Sequence, residues 1–295
     1  MKYRTLGSTD IDVSVIGVGT WQFGGEWGKD YTEAEADSII KTAKDAGINL
    51  IDTAECYGDH LSERLVGKSI SAERDSWIVA TKFGHKFLDF MERDQTWAPE
   101  AVLKQLEDSL LSLQTDYIDL YQFHSGVDEF FDTDGLWEML QKQVEAGKIR
   151  HLGISIGSNT NIRQTRAATD VGAEAIQVVY NRLDRAPEDE VLPACRELNL
   201  GVLARVPLAS GFLSGKYKPG AQFTGNDVRA KREQEGIDAK LREVEEIQRT
   251  EVPEGVSMAA WALAWCLKND AVTTVIPGCK SPEQVKMNAQ AADLI

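Results

Sequence analysis

Short apolar segments rich in β-branched residues recur along the chain, separated by longer stretches in which apolar residues repeat every three or four positions. A run of four to eight apolar residues is typical of a parallel strand that is buried on both faces. The pattern therefore predicts strands in the short segments. The eight predicted strands are residues 15–18, 48–51, 77–80, 117–121, 149–154, 175–180, 201–205 and 273–276.

The stretches between the strands predict helices, because their apolar residues fall on one face at a period of 3.6. Strands that alternate with helices form parallel, right-handed crossovers, and eight such repeats close into a barrel. We therefore predict an α/β protein of the (β/α)8 TIM-barrel class. No linker-like segment interrupts it, so residues 1–295 are expected to form a single barrel domain. The predicted helices are residues 32–46, 60–69, 98–113, 135–146, 161–168, 188–198, 256–268 and 282–292.

Two segments depart from this alternation. Residues 2–17 contain two short strand patterns around a Gly-Ser-Thr-Asp turn, which predicts an N-terminal β-hairpin that closes the bottom of the barrel. Residues 216–240 are polar and carry both signs of charge, and a helical pattern follows at residues 241–249. Because residues 216–240 follow the seventh predicted barrel strand, we expect a mobile loop over the mouth of an active site.

Charge and cysteine content narrow the class of function. The chain has 47 acidic and 32 basic residues, a net charge of −15, so its average surface should repel nucleic acid and anionic membranes. An anionic cofactor would need a locally basic pocket. The four cysteines are far apart, which predicts reduced thiols rather than disulfides or a metal site. With no apolar signal or membrane-spanning run, we expect a cytoplasmic location. The sequence carries no indication of an oligomeric state.

Polar residues follow three successive predicted strands at the end where barrel active sites lie. Asp52 and Tyr57 follow the second strand, Lys82 follows the third, and His124 follows the fourth. A lysine ammonium can stabilise a phenolate, so Lys82 is expected to lower the pKa of Tyr57, with Asp52 keeping the lysine charged. His124 could donate a hydrogen bond to a substrate carbonyl oxygen. This set suits carbonyl reduction, in which hydride addition leaves negative charge on that oxygen.

Each of these residues alone has an ordinary structural explanation, such as a cap, an ion pair or a packed ring. Four complementary groups at three neighbouring strand ends favour catalysis instead. A metal-dependent hydrolase is not supported, because the four histidines show no H-x-H or H-x-x-x-H spacing at a strand end. Trp21, Trp27 and Phe83 are expected to form the wall of an apolar substrate pocket.

Seven motifs occur in an order that resembles the aldo-keto reductases: DTAECYG at 52, TKFG at 81, QFHS at 122, GIS at 153, VVYN at 178, LASGFLSGKY at 208 and IPGCKSPEQV at 276. The resemblance covers nearly the whole chain. It implies the barrel, NADPH as hydride donor, a small aldehyde or ketone as substrate, and Asp52, Tyr57, Lys82 and His124 as the catalytic tetrad.

The resemblance also implies how the cofactor is held. Residues at the ends of the fifth and sixth predicted strands would bind the nicotinamide carboxamide, a small-residue loop the pyrophosphate, and the last strand and helix the adenosine 2′-phosphate. No G-x-G-x-x-G motif follows the first strand, which argues against Rossmann-type binding. The implied cofactor residues are Gly19, Thr20, Trp21, Ser155, Gln177, Arg205, Pro207, Leu208, Ser210, Gly211, Lys216, Gly278, Lys280, Gln284 and Asn288.

Several positions depart from the family pattern. Ile156 stands where many members have asparagine, and Arg205 stands where many have an aromatic ring, although its planar guanidinium could also stack on nicotinamide. Gln284 and Met287 replace charged residues near the 2′-phosphate position, so the preference for NADPH over NADH falls mainly on Lys280. A regulatory subunit that binds NADPH without turnover, similar to the potassium-channel β subunits, is the alternative function.

Overall fold

The computed structural model describes residues 1–295, and its centre is a sheet of eight parallel strands. Two further antiparallel pairs stand outside this sheet, one at the N-terminus and one after the third barrel strand. In chain order the strands are β1 Tyr3–Thr5, β2 Asp12–Ser14, β3 Val18–Gly19, β4 Leu50–Asp52, β5 Ile78–Phe83, β6 His85–Asp89, β7 Glu92–Gln95, β8 Ile118–His124, β9 Ile149–Ser155, β10 Ala173–Val179, β11 Gly201–Arg205 and β12 Thr274–Val275.

The sheet runs from β3 through β4, β5, β8, β9, β10 and β11 to β12, with every neighbouring pair parallel. Its two edges meet. Gly17 N–H donates to the Val275 carbonyl at 2.8 Å, and Val275 N–H donates to the Val15 carbonyl at 3.0 Å. Gly19 N–H donates to the Pro277 carbonyl at 3.0 Å. These bonds close the sheet, which confirms the predicted (β/α)8 barrel.

Ten helices accompany the strands, and most begin and end close to the predicted positions. The start of the first is fixed by a capping box, in which Thr32 and Glu35 satisfy each other's backbone N–H groups. The third begins with Pro99, which needs no hydrogen-bond acceptor at that position. The helices are α1 Glu33–Asp45, α2 Leu61–Ile70, α3 Pro99–Leu113, α4 Asp128–Phe131, α5 Leu136–Glu145, α6 Ile162–Arg166, α7 Val191–Glu197, α8 Gln234–Thr250, α9 Met258–Leu267 and α10 Pro282–Ala289.

The N-terminal hairpin β1–β2 is present as predicted, and it packs against the barrel interior. Apolar residues of its turn and second strand form one buried cluster with residues from six barrel segments. Gly7, at the turn, has φ +61°, and a side chain there would collide with the backbone of Gly201 at the start of β11. The hairpin therefore covers the N-terminal end of the barrel. The cluster consists of Leu6, Ile11, Val13, Leu50, Ala80, Leu120, Ala175, Leu203 and Ile276.

The loop predicted at residues 216–240 is too long. Helix α8 begins at Gln234, seven residues before the helical pattern predicted at residues 241–249. Ile237, Leu241, Val244 and Ile247 are buried at helical spacing, although charged residues surround each of them. Four apolar positions are enough to pack a helix against the protein when its other faces are solvated. The many charged residues around these four positions made the helical pattern hard to recognise in the sequence.

The hairpin β6–β7 was not predicted. Residues 85–95 carry mixed charges and little alternation, so the sequence indicates no strand there. In the structure His85 pairs with Gln95 and Lys86 with Asp94. Because the hairpin follows β5, it stands at the C-terminal end of the barrel beside the cavity described below.

Candidate active site

A cavity of about 500 Å³ opens at the C-terminal ends of the barrel strands. Every residue that the sequence assigned to catalysis or cofactor binding lines this cavity, with the single exception of Lys82. Lys82 lies behind the cavity wall and is fully buried. The structure therefore brings together residues from the ends of seven different strands. The predicted lining residues are Gly19, Thr20, Trp21, Asp52, Tyr57, His124, Ser155, Gln177, Arg205, Pro207, Leu208, Ser210, Gly211, Lys216, Gly278, Lys280, Gln284 and Asn288.

Lys82 links Asp52 to Tyr57 beneath the cavity floor. Its Nζ donates to Asp52 Oδ1 at 2.7 Å and to the Thr53 carbonyl at 2.6 Å, and it lies 3.5 Å from Tyr57 Oη. The other oxygen of Asp52 accepts a hydrogen bond from Gln177 Nε2 at 2.7 Å. The ammonium, the carboxylate and the phenol thus form a fixed chain that ends at the cavity.

Burial and charge act in opposite directions on this chain. Burial alone would lower the pKa of Lys82, but Asp52 together with the neighbouring acidic groups of Tyr57 and Glu55 outweighs burial and raises it, so the ammonium stays charged. Lys82 does act to lower the pKa of Tyr57, as expected, but it does not decide the net shift. Burial of the phenol raises the pKa of Tyr57, and this effect exceeds the opposing effect of Lys82. Tyr57 therefore keeps its proton at neutral pH.

His124 lies beside Tyr57 at the end of β8, with the two ring centroids 6.2 Å apart. Its Nδ1 is 3.5 Å from the Glu55 carboxylate and 3.8 Å from Cys56 Sγ. Burial lowers the pKa of His124 to about 4, so the ring is neutral at pH 7. Burial would raise the pKa of Glu55, but His124 and His85 lower it below the ordinary value.

Two buried polar groups without partners lie in residues that line the end of the cavity where the nicotinamide was predicted to bind. Ser155 Oγ and Arg205 Nε are both buried and make no hydrogen bond within the protein. Arg205 Nη2 donates to the Ile156 carbonyl at 3.2 Å. Buried polar groups are rarely left unsatisfied, so these two atoms indicate a polar ligand. A carboxamide and a flat ring fit this chemistry. The side-chain amide of Gln177 donates its N–H groups to Asp52 Oδ2 and Gln122 Oε1.

The loop after β11 has an unusual backbone. Val206, Ala209 and Ser210 have positive φ values of 54°, 49° and 62°, and Gly211 follows with φ 90°. In this turn the N–H groups of Ala209 and Gly211 donate to the Val206 and Leu208 carbonyl oxygens at 2.9 Å, which leaves the Ser210 N–H as the donor available to an anion. The loop lines the cavity at the predicted position, and its binding of a pyrophosphate stays a prediction.

Side chains from residues 217–233 reach back to this loop. Arg229 Nη1 donates to the Ser210 carbonyl at 3.2 Å, and Arg232 Nη2 donates to Ser210 Oγ at 2.8 Å. Arg229 is buried, forms a two-bond ion pair with Asp227, and stacks on Phe223. Arg229 was not among the predicted residues, because it lies in a segment with many charged residues where spacing does not distinguish one of them.

Lys280 brings positive charge to the other end of the cavity. Its ammonium donates to the Trp27 carbonyl at 2.6 Å and has no carboxylate in an ion pair with it. Burial lowers the pKa of Lys280, and nearby Arg229 and Lys216 lower it further, while Asp227 acts in the opposite direction. In a chain of net charge −15, this cluster is the basic pocket that an anionic cofactor requires.

The polar groups of other predicted residues also bond within the protein. Gln284 Oε1 accepts from the Lys280 backbone N–H at 2.7 Å, and Asn288 Nδ2 lies 3.3 Å from Cys279 Sγ. The Thr20 hydroxyl donates to the Asp52 carbonyl at 3.0 Å. These side chains therefore shape the cavity wall, and Lys280 is one of three lining cations without an ion pair, with Lys216 and Arg205.

Trp21 and Trp27 line the cavity as predicted, but Phe83 does not. Phe83 points away from it and is fully buried against Tyr121 and Phe123, because alternate residues of a barrel strand face opposite sides. The β6–β7 hairpin supplies the missing wall through Met91, Arg93 and His85.

A buried ion pair holds this hairpin in place. Arg93 Nη2 donates to both oxygens of Glu26 at 2.7 Å, and Glu26 also accepts from Trp21 Nε1 at 2.7 Å. The Met91 N–H donates to Glu26 at 2.9 Å. Glu26 thus joins the loops after β3 and β5 over the cavity. No sequence signal marks this pair, since its members are far apart in the chain.

Comparison with known proteins decides the family. A sequence model described as "Aldo/keto reductase family" matches residues 15–294. The chain belongs to the aldo/keto reductase family. It is therefore an oxidoreductase that acts on small carbonyl compounds with a nicotinamide cofactor.

The similarity to individual relatives extends over almost the whole length of this aldo/keto reductase. It is 33% identical over 298 residues to aldo-keto reductase YhdN of Bacillus subtilis, covering 97% of this chain and 87% of that protein. It is also 33% identical over 315 residues to the NADH-specific methylglyoxal reductase of Escherichia coli, covering 100% of this chain and 94% of that protein.

Solved structures agree on the fold. The aldo-keto reductase AKR11C1 from Bacillus halodurans, in its holo form, is 33% identical with a TM-score of 0.81, covering 99% of this chain and 91% of that one. The glycerol dehydrogenase AKR11B4 from Gluconobacter oxydans is 30% identical with a TM-score of 0.85, covering 98% of this chain and 89% of that one.

None of the helices in this aldo/keto reductase is long and apolar enough to cross a membrane.

Proposed function

We propose that this protein reduces aldehydes and ketones to alcohols with NADPH, and that Tyr57 supplies the proton. The observation that carries the proposal is the buried Asp52–Lys82–Tyr57 chain, which places one protonated phenol, backed by a fixed ammonium, at the cavity floor.

When bound, a reduced nicotinamide supplies the hydride that the carbonyl carbon accepts. Negative charge then develops on the carbonyl oxygen, and the Tyr57 hydroxyl gives that oxygen its proton. Lys82 stabilises the phenolate that remains, and Asp52 holds Lys82 charged and in place. The neutral ring of His124 donates a hydrogen bond to the same oxygen and orients the substrate. Addition of the hydride to the carbonyl carbon and of the proton to the oxygen converts the substrate into the alcohol.

The chain's own residues fit a nicotinamide dinucleotide. Ser155 and Arg205, with their unpartnered buried atoms, would hold the nicotinamide end. The N–H of Ser210, which has no partner in the left-handed turn after β11, would donate to the pyrophosphate. We further propose that residues 1–295 carry the reaction as one barrel domain. Its four unpaired thiols fit the reducing cytoplasm.

The choice of NADPH over NADH rests on Lys280. Its half-buried ammonium has no acidic partner in contact and lies among other cations, so a phosphate is the ligand that would relieve this excess of positive charge. The NADH-specific relative from Escherichia coli shows that the alternative cofactor is used within the family. The preference must therefore be tested on this chain.

Replacing Lys280 with alanine is expected to raise the KM for NADPH by about tenfold or more, since a charge-assisted hydrogen bond contributes roughly 1.5–3 kcal/mol. The KM for NADH should change by less than about twofold. Lys286→Ala is the matched control, because Lys286 is exposed on α10 and does not line the cavity. Equal changes for both cofactors in Lys280→Ala would remove Lys280 from a phosphate site.

Turnover distinguishes a reductase from a regulatory subunit. Purified protein mixed with NADPH and 4-nitrobenzaldehyde is expected to oxidise the cofactor and form one alcohol for each NADPH consumed. The measurement is the loss of nicotinamide absorbance together with product analysis. A protein that binds NADPH tightly but reduces none of a broad panel of aldehydes and ketones would instead support the regulatory function.

A further inference from the structure

Three side chains with metal-binding atoms meet beside Tyr57. Glu55, Cys56 and His124 each place one such atom within 4.8 Å of the other two. Glu55 Oε2 is buried and makes no hydrogen bond. This unpartnered oxygen lies 3.5 Å from His124 Nδ1, which is itself 3.8 Å from Cys56 Sγ. A buried carboxylate oxygen without a donor indicates that something besides the protein satisfies it.

Two of the three distances between the candidate ligand atoms fit a tetrahedral ion, and the third, between Glu55 and Cys56, is at most 4.8 Å. Zinc binds sulfur at about 2.3 Å and nitrogen or oxygen at about 2.0–2.2 Å, so its tetrahedral ligand atoms stand about 3.4–3.6 Å apart. The 3.5 Å between His124 Nδ1 and Glu55 Oε2 falls within that range, and the 3.8 Å between His124 Nδ1 and Cys56 Sγ needs a shift of only a few tenths of an ångström. Thiolate, imidazole and carboxylate are all ligands that zinc binds in proteins.

The charges around the three side chains also permit a divalent ion. Arg93 lies next to the Cys56 thiol, but it is paired with Glu26 at 2.7 Å. Lys82 is likewise paired with Asp52 at 2.7 Å. The neighbouring cations are therefore already balanced. One carboxylate and one thiolate would then neutralise the two charges of the ion, which removes most of the cost of burying it.

We propose that Glu55, Cys56 and His124 bind one Zn²⁺ ion reversibly and that zinc at this site inhibits the enzyme. Binding displaces the thiol proton of Cys56 to solvent as the sulfur–zinc bond forms, and no electron is transferred. His124 would bind through Nδ1, on the ring that faces the carbonyl oxygen in the proposed reaction. The inhibition rests on the proposed function, whereas the zinc binding does not.

Sequence spacing conceals this site. Glu55 and Cys56 are adjacent, and His124 is 68 positions after Cys56. Known zinc motifs are recognised by short, regular separations between cysteine or histidine residues, and this sequence contains no C-x-x-C or H-x-x-x-H spacing. Only the closeness of β4 and β8 across β5 in the barrel brings the three ligands together.

Binding is tested first, without any activity measurement. Zinc is titrated into the intact protein in competition with a chromophoric chelator, and Co²⁺ is used separately to detect a thiolate-to-cobalt charge-transfer band. The wild type is expected to bind one zinc and to show the band. Cys56→Ser should abolish the band and weaken zinc binding by about a hundredfold, and Glu55→Gln by about tenfold or more.

Cys195→Ser is the matched control, because Cys195 is another buried thiol whose pKa is raised by burial alone, with no charged neighbour. It should bind zinc as the wild type does. Stoichiometric binding that survives unchanged in Cys56→Ser, or no binding in the wild type, overturns the site. Circular dichroism of each variant shows whether a loss of binding is a loss of the fold.

Inhibition is tested second, as the fraction of each variant's own activity that remains. Zinc should abolish most of the wild-type activity, a chelator should restore it, and Cys56→Ser should require about a hundredfold more zinc. If zinc binds without inhibiting the enzyme, the proposal that zinc at this site is an inhibitor is overturned. If the protein has no reductase activity at all, the proposed function fails while the binding result still decides the zinc site.

Discussion

Replacing Tyr57 with phenylalanine is expected to lower kcat for aldehyde reduction by about a thousandfold or more, within the range by which a positioned general acid accelerates a reaction. The ring remains and still stacks on Trp21, whose centroid lies 6.0 Å away, so the cavity should keep its shape. The hydroxyl contributes little to folding, because its only contact within hydrogen-bond distance, with Lys82 at 3.5 Å, is long.

Steady-state kinetics measure the loss, and quenching of tryptophan fluorescence by NADPH measures cofactor binding, which should stay within about twofold of the wild type. Tyr31→Phe is the control, because Tyr31 also has a buried hydroxyl without a partner but does not line the cavity. It should reduce aldehydes at the wild-type rate. Undiminished reduction by Tyr57→Phe would remove the phenol from the reaction.

Replacing Asp52 with asparagine is expected to lower both stability and activity. The substitution leaves the fully buried Lys82 ammonium without its carboxylate, and breaking a buried ion pair in this way typically costs about 3–5 kcal/mol. Urea denaturation should therefore show a much smaller free energy of unfolding. Activity should fall with it, since a lysine that loses its charge no longer stabilises the Tyr57 phenolate.

The double variant Asp52→Asn with Lys82→Met separates the two effects. Removing both charges should recover much of the lost stability, because no unpaired ion stays buried. Activity should remain as low as in Asp52→Asn. A double variant that regains activity along with stability would show that the ion pair serves only the fold, and an Asp52→Asn protein of wild-type stability would contradict the burial of a charged lysine.

The sequence predicted the barrel because parallel strands covered by helices must be apolar throughout, and this leaves a pattern of short buried runs. It also predicted the location of Asp52, Tyr57 and His124, since polar residues directly after such runs lie at the C-terminal face. The two-residue strands β3 and β12 were harder to delimit, because the barrel closes there through only a few backbone hydrogen bonds.

What the sequence could not supply depends on contacts between distant segments. The direction of the Tyr57 pKa shift depends on two opposing effects, the burial of the phenol and the charge of Lys82, whose Nζ lies 3.5 Å from Tyr57 Oη. Neither the degree of burial nor this distance can be obtained from the spacing of residues in the sequence. The Glu26–Arg93 pair joins two loops whose sequences show no relation. The orientation of Phe83 depends on which face of β5 meets the neighbouring helices, and a one-residue difference in the strand reverses it.

The central claim is direct hydride transfer from NADPH to a carbonyl carbon with the proton supplied from the protein. The most direct test uses NADPH that carries deuterium at the transferable C4 position, with 4-nitrobenzaldehyde as substrate and mass spectrometry of the alcohol. The account predicts one deuterium on the carbinol carbon in every product molecule formed by the wild-type protein. An alcohol without deuterium, or no alcohol although the deuterated cofactor is bound, would contradict it.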